Sequence, residues 1–167
     1  MRFTDERSLT LLGRITRLPE FNVAVFAMLL NYPWEFLQVP LFAQMPSAPH
    51  WEAIKTCTRA TFGDAVIMLL AFWVVSAFAR SRYWVCAVPC ASRLALFVSV
   101  GVVITATIEW LAQNGLWIDG WHYSALMPVL PGLGVGLSPV LQWILLPPLT
   151  IWFVRRQMSG IAPSRCR

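Results

Sequence analysis

Four long apolar segments constrain the fold of this chain more than any other feature. They lie at about 22–44, 62–79, 94–114 and 138–154, and each approaches the roughly 20 residues that a helix needs to cross a bilayer core. Hydrophobic residues make up 57% of the chain and charged residues 13%, about half the charged share that is usual in soluble domains. A soluble domain of 167 residues could not bury this much apolar surface, so we expect a membrane protein.

The apolar segments predict helices rather than strands. A helix satisfies its own backbone hydrogen bonds inside the bilayer, and the segments lack the period-two alternation of a β-barrel. We therefore predict an all-α, polytopic membrane protein, a four-transmembrane-helix bundle with kinked helices, short cytoplasmic tails and an apolar Gly/Pro-rich outer loop. The chain is too short for two membrane domains, so residues 1–167 are expected to form a single membrane domain.

The distribution of arginine and lysine predicts the orientation of the bundle. Eleven of the thirteen basic residues lie in the tails and the second loop, whereas the first loop has only Lys55 and Arg59 and the third loop has none. Both termini are then cytoplasmic by the positive-inside rule. The net charge of +5 reflects this bias and does not indicate a nucleic-acid partner. The dominance of arginine over lysine is typical of GC-rich bacterial genomes, so we expect a multi-pass protein of a bacterial inner (cell) membrane.

The first apolar segment contains one carboxylate, Glu35, deep inside the run. A carboxylate at that depth costs on the order of 3 kcal/mol, so its side chain is expected to face a cavity or a partner. Asn31, Glu35 and Gln38 are spaced i, i+4, i+7, which places them on one face of a helix. Pro33 and Pro40 remove backbone donors and predict kinks in this helix.

Asp64 has two interpretations. Thr61 and Asp64 have the spacing of a capping box, which would put Asp64 in the first turn of the second helix, where an acid offsets the helix dipole. Alternatively, Asp64 projects into the mouth of the bundle and pairs with Arg59 or Lys55.

The third and fourth helices add further polar side chains. Thr105, Glu109 and Gln113 share one face of the third helix, and Gln142 follows a predicted helix cap at Ser138. Glu109 either reaches interfacial water or joins a pocket. Six polar residues fall in the outer half of the membrane on this topology: Glu35, Gln38, Asp64, Glu109, Gln113 and Gln142. They form either a shared outward-facing pocket or independent interhelical hydrogen bonds.

The third loop, Leu116–Leu137, remains apolar over 22 residues and carries no Lys or Arg. It is expected to lie at the membrane surface or to fold back over the pocket as a lid. Its glycines do not form a phosphate-binding pattern. Within it, His122 is either a hydrogen-bonded surface group or an acid–base group near the carboxylates.

The cysteines do not predict a metal or cofactor site. None of them has Cys or His neighbours at metal-binding spacing, and we expect a structural or inert role for all four: Cys57, Cys86, Cys90 and Cys166. No metal and no cofactor are predicted.

Three strings carry a resemblance to known proteins: NYPWEFLQVPL at 31–41, RATFGD at 59–64 and the segment 127–142. With them the chain resembles small uncharacterised bacterial four-helix integral membrane proteins, a group that implies no known activity. Glu35 followed by Gln38 to Phe42 is also locally similar to the sterol-isomerase and sigma-2-receptor group, small four-helix membrane proteins with acids around a sterol-sized pocket. Here the Glu-to-Gln spacing is one residue shorter and the segment lies in the first helix rather than the second.

Pro33-Trp34-Glu35 is similar to the Pro-x-Glu-Glu motif of membrane lycopene cyclases, with Phe36 in place of the second acid. As in the sterol-isomerase case, the similarity covers less than a tenth of the chain and implies no substrate.

Two hypotheses of function follow. In the first, the pocket binds or transforms a hydrophobic, isoprenoid-like small molecule. Glu35 is the acid, Glu109 or Asp64 is its partner group, and tryptophan faces stabilise a carbocation. The proposed ligand contacts are Asn31, Trp34, Gln38, Trp110, Gln113, Trp121, His122 and Gln142.

In the second hypothesis, the chain is a non-catalytic subunit or assembly factor whose polar face pairs with a membrane partner protein or with a second copy. Ion transport is less favoured, because the inner half offers no polar relay.

Overall fold

A computed structural model describes residues 11–87, 90–116 and 120–165 of the chain. Every regular element within these ranges is helical, which confirms the all-α class. The helices are α1 (Leu11–Ile15), α2 (Pro19–Gln38), α3 (His50–Ala79), α4 (Ala91–Gln113) and α5 (Leu137–Ile161), with 3₁₀ turns at Val39–Leu41 and Pro163–Arg165.

Three of these helices, α3, α4 and α5, are long and apolar enough to cross a membrane, with 30, 23 and 25 residues. The chain therefore has the character of a helical membrane protein. The other long helix, α2, has 20 residues and is not among the three. Its hydropathy is lowered by four side chains that are buried inside the bundle: Asn22, Asn31, Glu35 and Gln38.

The second long helix begins at His50, well before the predicted start near residue 62. The polar residues Lys55 and Arg59 lie outside the apolar run, but the helix continues through them. Asp64 therefore lies in the interior of α3 rather than in its first turn, and the capping interpretation is wrong.

The fourth long helix also differs from the prediction at both ends. It begins at Leu137 with Gly136 as its N-cap, so Ser138 lies inside the helix and does not cap it. It ends at Ile161 rather than near 154, because the charges that end a membrane span are good helix formers in water. Prolines lie inside α2 and α5 without interrupting either helix, and the kinks remain a prediction.

The two ends of the bundle differ in what is packed between the helices. α2 and α4 each pack against both α3 and α5. Where α3 ends and α4 begins, Trp84 contacts Phe72 and Phe97 with ring centroids 5.8 Å apart. We call this the arginine end, after five residues near it: Arg80, Arg82, Arg93, Arg155 and Arg156. We call the opposite end, where α2 and α4 end and α3 and α5 begin, the cavity end.

Close approach of α4 and α5 depends on Gly101. A Cβ atom at this position would lie 2.0 Å from Cε3 of Trp143, whose side chain is fully buried. Carbon atoms cannot approach so closely, so the indole ring occupies space that only glycine leaves open.

The described part of the third loop folds back onto the segment that follows α2. The N–H of Ala43 donates to the carbonyl of His122, and the N–H of Ser124 donates to the carbonyl of Leu41, both at 2.9 Å. Phe42 and Tyr123 face each other across this short antiparallel bridge. The loop is thereby held across the cavity end of the bundle.

Candidate functional site

A cavity of about 640 Å³ lies at the cavity end between α2, α3, α4 and the start of α5. Small-molecule sites usually have volumes of about 300–1,000 Å³. Six residues that the sequence proposed for the site line this cavity: Glu35, Gln38, Asp64, Glu109, Trp121 and Gln142. Val39, Phe42, Ile67 and Ile108 give it apolar walls.

The side-chain amide of Gln142 connects three helices beside this cavity. Its Nε2 donates to Oδ1 of Asn31 at 2.8 Å, to Oε1 of Glu35 at 3.1 Å and to Oδ2 of Asp64 at 2.8 Å. A primary amide has two N–H donors, so three acceptors share two protons. Polar groups buried in this way rigidify a core when their hydrogen bonds are satisfied.

The carboxyl groups of Glu35 and Asp64 lie close together, because both accept a hydrogen bond from Nε2 of Gln142. Two neighbouring carboxylates repel each other when both are ionised, which favours a proton on one of them. Gln38 donates to Oε1 of Glu35 at 2.8 Å, and Ser138 donates to Oε1 of Gln38 at 3.0 Å. These hydrogen bonds join α2, α3 and α5 next to the cavity.

Glu109 is the third acid of the cavity and belongs to a separate network. Its Oε2 accepts hydrogen bonds from Nε1 of Trp121 at 3.0 Å and from the hydroxyl of Tyr123. The Tyr123 oxygen in turn accepts from the N–H of Gly136 at 2.9 Å, and Gln113 donates to the carbonyl of Trp121 at 2.8 Å. The same carboxylate thus anchors the third loop and borders the cavity.

Five residues proposed from the sequence do not line the cavity. Asn31 is fully buried behind the cavity and accepts a hydrogen bond from Gln142. Gln113 donates to the backbone of Trp121 in the third loop. Trp34 packs against the apolar core, and Trp110 is about half exposed on the outer surface. His122 is exposed and contributes its backbone, not its side chain, to the contacts of the loop. Of the three tryptophans proposed to stabilise a carbocation, Trp121 alone faces the cavity.

Asp64 forms a hydrogen bond with Gln142 rather than the predicted ion pair with Lys55 or Arg59. Lys55 pairs with Glu52 at 2.8 Å, while Arg59 lines the cavity. The side-chain amide of Gln142 holds Asp64 instead.

The sequence does not single out three further residues as ligand or catalytic groups, although Thr105 shares the polar face of Glu109. Cys57 is buried, lines the cavity and contacts the backbone carbonyl of Glu35 at 3.8 Å. Thr105 lines the cavity with a buried hydroxyl that has no hydrogen-bond partner among the described residues. Tyr123 was visible only as a polar aromatic in an apolar loop, and nothing in the spacing linked it to Glu109. Cys166 lies outside the described residues.

In the part of the chain that the structure describes, no three His, Cys, Asp or Glu side chains are grouped so that they could hold a metal ion. The arrangement offers proton donors and acceptors inside an apolar enclosure. Comparisons with protein-family models, with curated proteins and with solved structures gave no match to this chain.

Proposed function

We propose that this chain is an integral membrane protein that binds a small hydrophobic molecule, isoprenoid-like in its apolar body and carrying a hydrogen-bonding group, in the cavity between its helices. One observation carries the proposal: three carboxyl groups from three helices, Glu35, Asp64 and Glu109, meet at one cavity that has apolar walls. Acids inside membrane proteins are costly and mark functional sites by default.

Glu109 supports a role in recognising the polar group of the ligand. Both hydrogen bonds that it accepts from the described residues go to Oε2, which leaves Oε1 as an acceptor for a ligand hydroxyl or amine. Thr105 lies one helical turn away, and its hydroxyl has no hydrogen-bond partner in the part of the chain that the structure describes. A ligand that forms a hydrogen bond with this hydroxyl would offset the free-energy cost of burying the hydroxyl.

The pair formed by Glu35 and Asp64 supports proton transfer as the chemistry of the site. A protonated carboxyl can donate its proton to a double bond to give a carbocation, and the neighbouring carboxylate can remove a proton from that carbocation to form the new double bond. The ring face of Trp121 is available to a developing positive charge. Loss of turnover in Glu35→Gln, with normal membrane expression, would distinguish an enzyme from a binding protein.

The proposal includes α2 as a fourth span in a bacterial inner membrane, with both termini cytoplasmic and the cavity facing outward. Twenty helical residues extend about 30 Å. The side chains that α2 turns away from the bundle are apolar, as Leu29 and Leu37 illustrate with 62% and 77% exposure. A helix with lipid-facing apolar residues and inward polar residues suits a membrane bundle.

Mass spectrometry of compounds retained by the purified protein tests the binding proposal. In Gly63→Phe the new ring should fill the cavity, because Gly63 lines it and a Cβ there meets nothing within 4 Å. The matched control is Val66→Phe, at a residue of the same helix that is 55% exposed. We expect retention of the hydrophobic compound to fall at least about tenfold in Gly63→Phe and to persist in the control.

Equal retention in both variants would contradict the proposal. So would a stoichiometric protein partner that is lost on Glu35→Leu, which would instead support the subunit or assembly-factor hypothesis. The polar side chains of α2 are already bonded inside the bundle, which favours an internal ligand over a partner helix.

A further inference from the structure

A second candidate site lies at the arginine end, away from the cavity. A crevice of about 40 Å³ separates the loop after α3, the first turn of α4 and the last turns of α5. Its walls include the apolar side chains of Trp84, Leu94 and Ile151, and its lining also includes Arg93 and Arg155. The two arginines come from different helices and meet at one opening.

Arg93 and Arg155 each bring a positive charge to the crevice. Among the described residues, no carboxylate forms an ion pair with either side chain, whereas Arg82 at the same end pairs with Glu20. Two arginine side chains that line an apolar crevice favour an anionic group with an apolar continuation.

The start of α4 independently favours negative charge. Cys90 lines the same crevice, and its thiol lies 3.0 Å from the hydroxyl of Ser92. This contact, the backbone N–H groups of Ser92 and Arg93, and the nearby Arg93 charge lower the pKa of the Cys90 thiol. The environment that stabilises a thiolate there also stabilises a phosphate oxygen.

We propose that the crevice binds the phosphate of an anionic phospholipid between Arg93 and Arg155, with the glycerol and first acyl carbons against Trp84, Leu94 and Ile151. The two arginines lie near the ends of α4 and α5, at the level where phospholipid headgroups meet spanning helices. Free phosphate would leave the apolar walls uncovered. This site is independent of the cavity and of the function proposed for it.

Native mass spectrometry of the full chain in mild detergent tests the proposal, with phosphatidylglycerol and phosphatidylcholine of equal acyl chains as probes. The test variant is Arg93→Gln/Arg155→Gln. The control is Arg80→Gln/Arg156→Gln, which removes the same charge from the same end but outside the crevice. We expect affinity for phosphatidylglycerol to fall at least about tenfold further in the test variant than in the control.

Binding of phosphatidylcholine should be weak and unchanged in both variants. Arg93→Lys/Arg155→Lys, which keeps the charge without the planar fork, should lose part of the affinity and guards against misfolding of the test variant. Equal losses in test and control would overturn the proposal in favour of a diffuse charge effect. Full displacement of phosphatidylglycerol by inorganic phosphate would overturn the lipid assignment.

Discussion

Tyr123, together with Trp121, ties the third loop to the buried acid Glu109. Its hydroxyl donates to Glu109 and accepts from the N–H of Gly136. Burial, and secondarily Glu109, raises the pKa of Tyr123 above its ordinary value of about 10. The folded chain therefore keeps a proton that the unfolded chain loses above about pH 10, so the free energy of unfolding should fall as pH rises through that range.

Thermal unfolding in detergent between neutral and alkaline pH checks this prediction. Tyr123→Phe cannot ionise, so it should be less stable at neutral pH but should show a shallower alkaline decline. Tyr32→Phe, at a residue that is 40% exposed on α2, is the control and should keep the decline of the native chain. The same slope in all three proteins would show that Tyr123 does not hold this proton.

At the residue scale, spacing along one helix predicts part of the polar network. Asn31, Glu35 and Gln38 were placed on one buried face by their spacing, and the structure has all three buried. Trp34 and Trp110 were assigned to the pocket but lie elsewhere, because lipid and cavity walls are both apolar and hydrophobicity alone does not separate them.

At the scale of elements, the packing of α4 on α5 is set by one glycine and one indole. We expect Gly101→Ala to lower the free energy of unfolding by about 1–3 kcal/mol, because its Cβ would overlap Trp143 and force the helices apart. Gly160→Ala is the matched control on α5, where a Cβ meets nothing within 4 Å, and it should be neutral or slightly stabilising.

Denaturant titration of the purified variants measures both effects. Adding Trp143→Leu to Gly101→Ala removes the obstructing ring, so the double variant should be less destabilised than the sum of the single changes. Strict additivity would mean that the two residues do not contact each other. The sequence did not predict this contact, since a glycine in an apolar helix carries no sign of its neighbour.

Element boundaries were predicted less well than the elements themselves. The polar start of α3 was assigned to a loop because hydropathy reports the membrane span and not the helix, and a helix of 30 residues exceeds any bilayer core. This extension changes the site, because it moves Asp64 from a helix end to a helix interior. There the carboxyl group faces Glu35 and Gln142.

At the scale of the whole molecule, the separation of a polar end from an arginine end is a property of the complete bundle. The alternation of basic and neutral connections along the sequence predicted it, since antiparallel neighbours bring every second connection to the same end. The buried acids Glu35 and Glu109 and the amide of Gln142 lie at one end, and the contacting rings of Phe72, Trp84 and Phe97 lie at the other. The hydropathy profile of one helix alone does not predict this difference between the two ends.

Reporter fusions test the orientation and the crossing of α2 together. Alkaline phosphatase, which is active outside the cytoplasm, should be active when fused after Ser47, between α2 and α3, and inactive when fused after Gly160, at the end of α5. A fluorescent protein that folds only in the cytoplasm should give the opposite pattern.

If α2 does not cross the membrane, the phosphatase fused after Ser47 will be inactive, although α3, α4 and α5 are long enough to span. Three spans would then place the cavity end and the C-terminus on opposite sides with a cytoplasmic cavity, and the outward-facing pocket would be wrong.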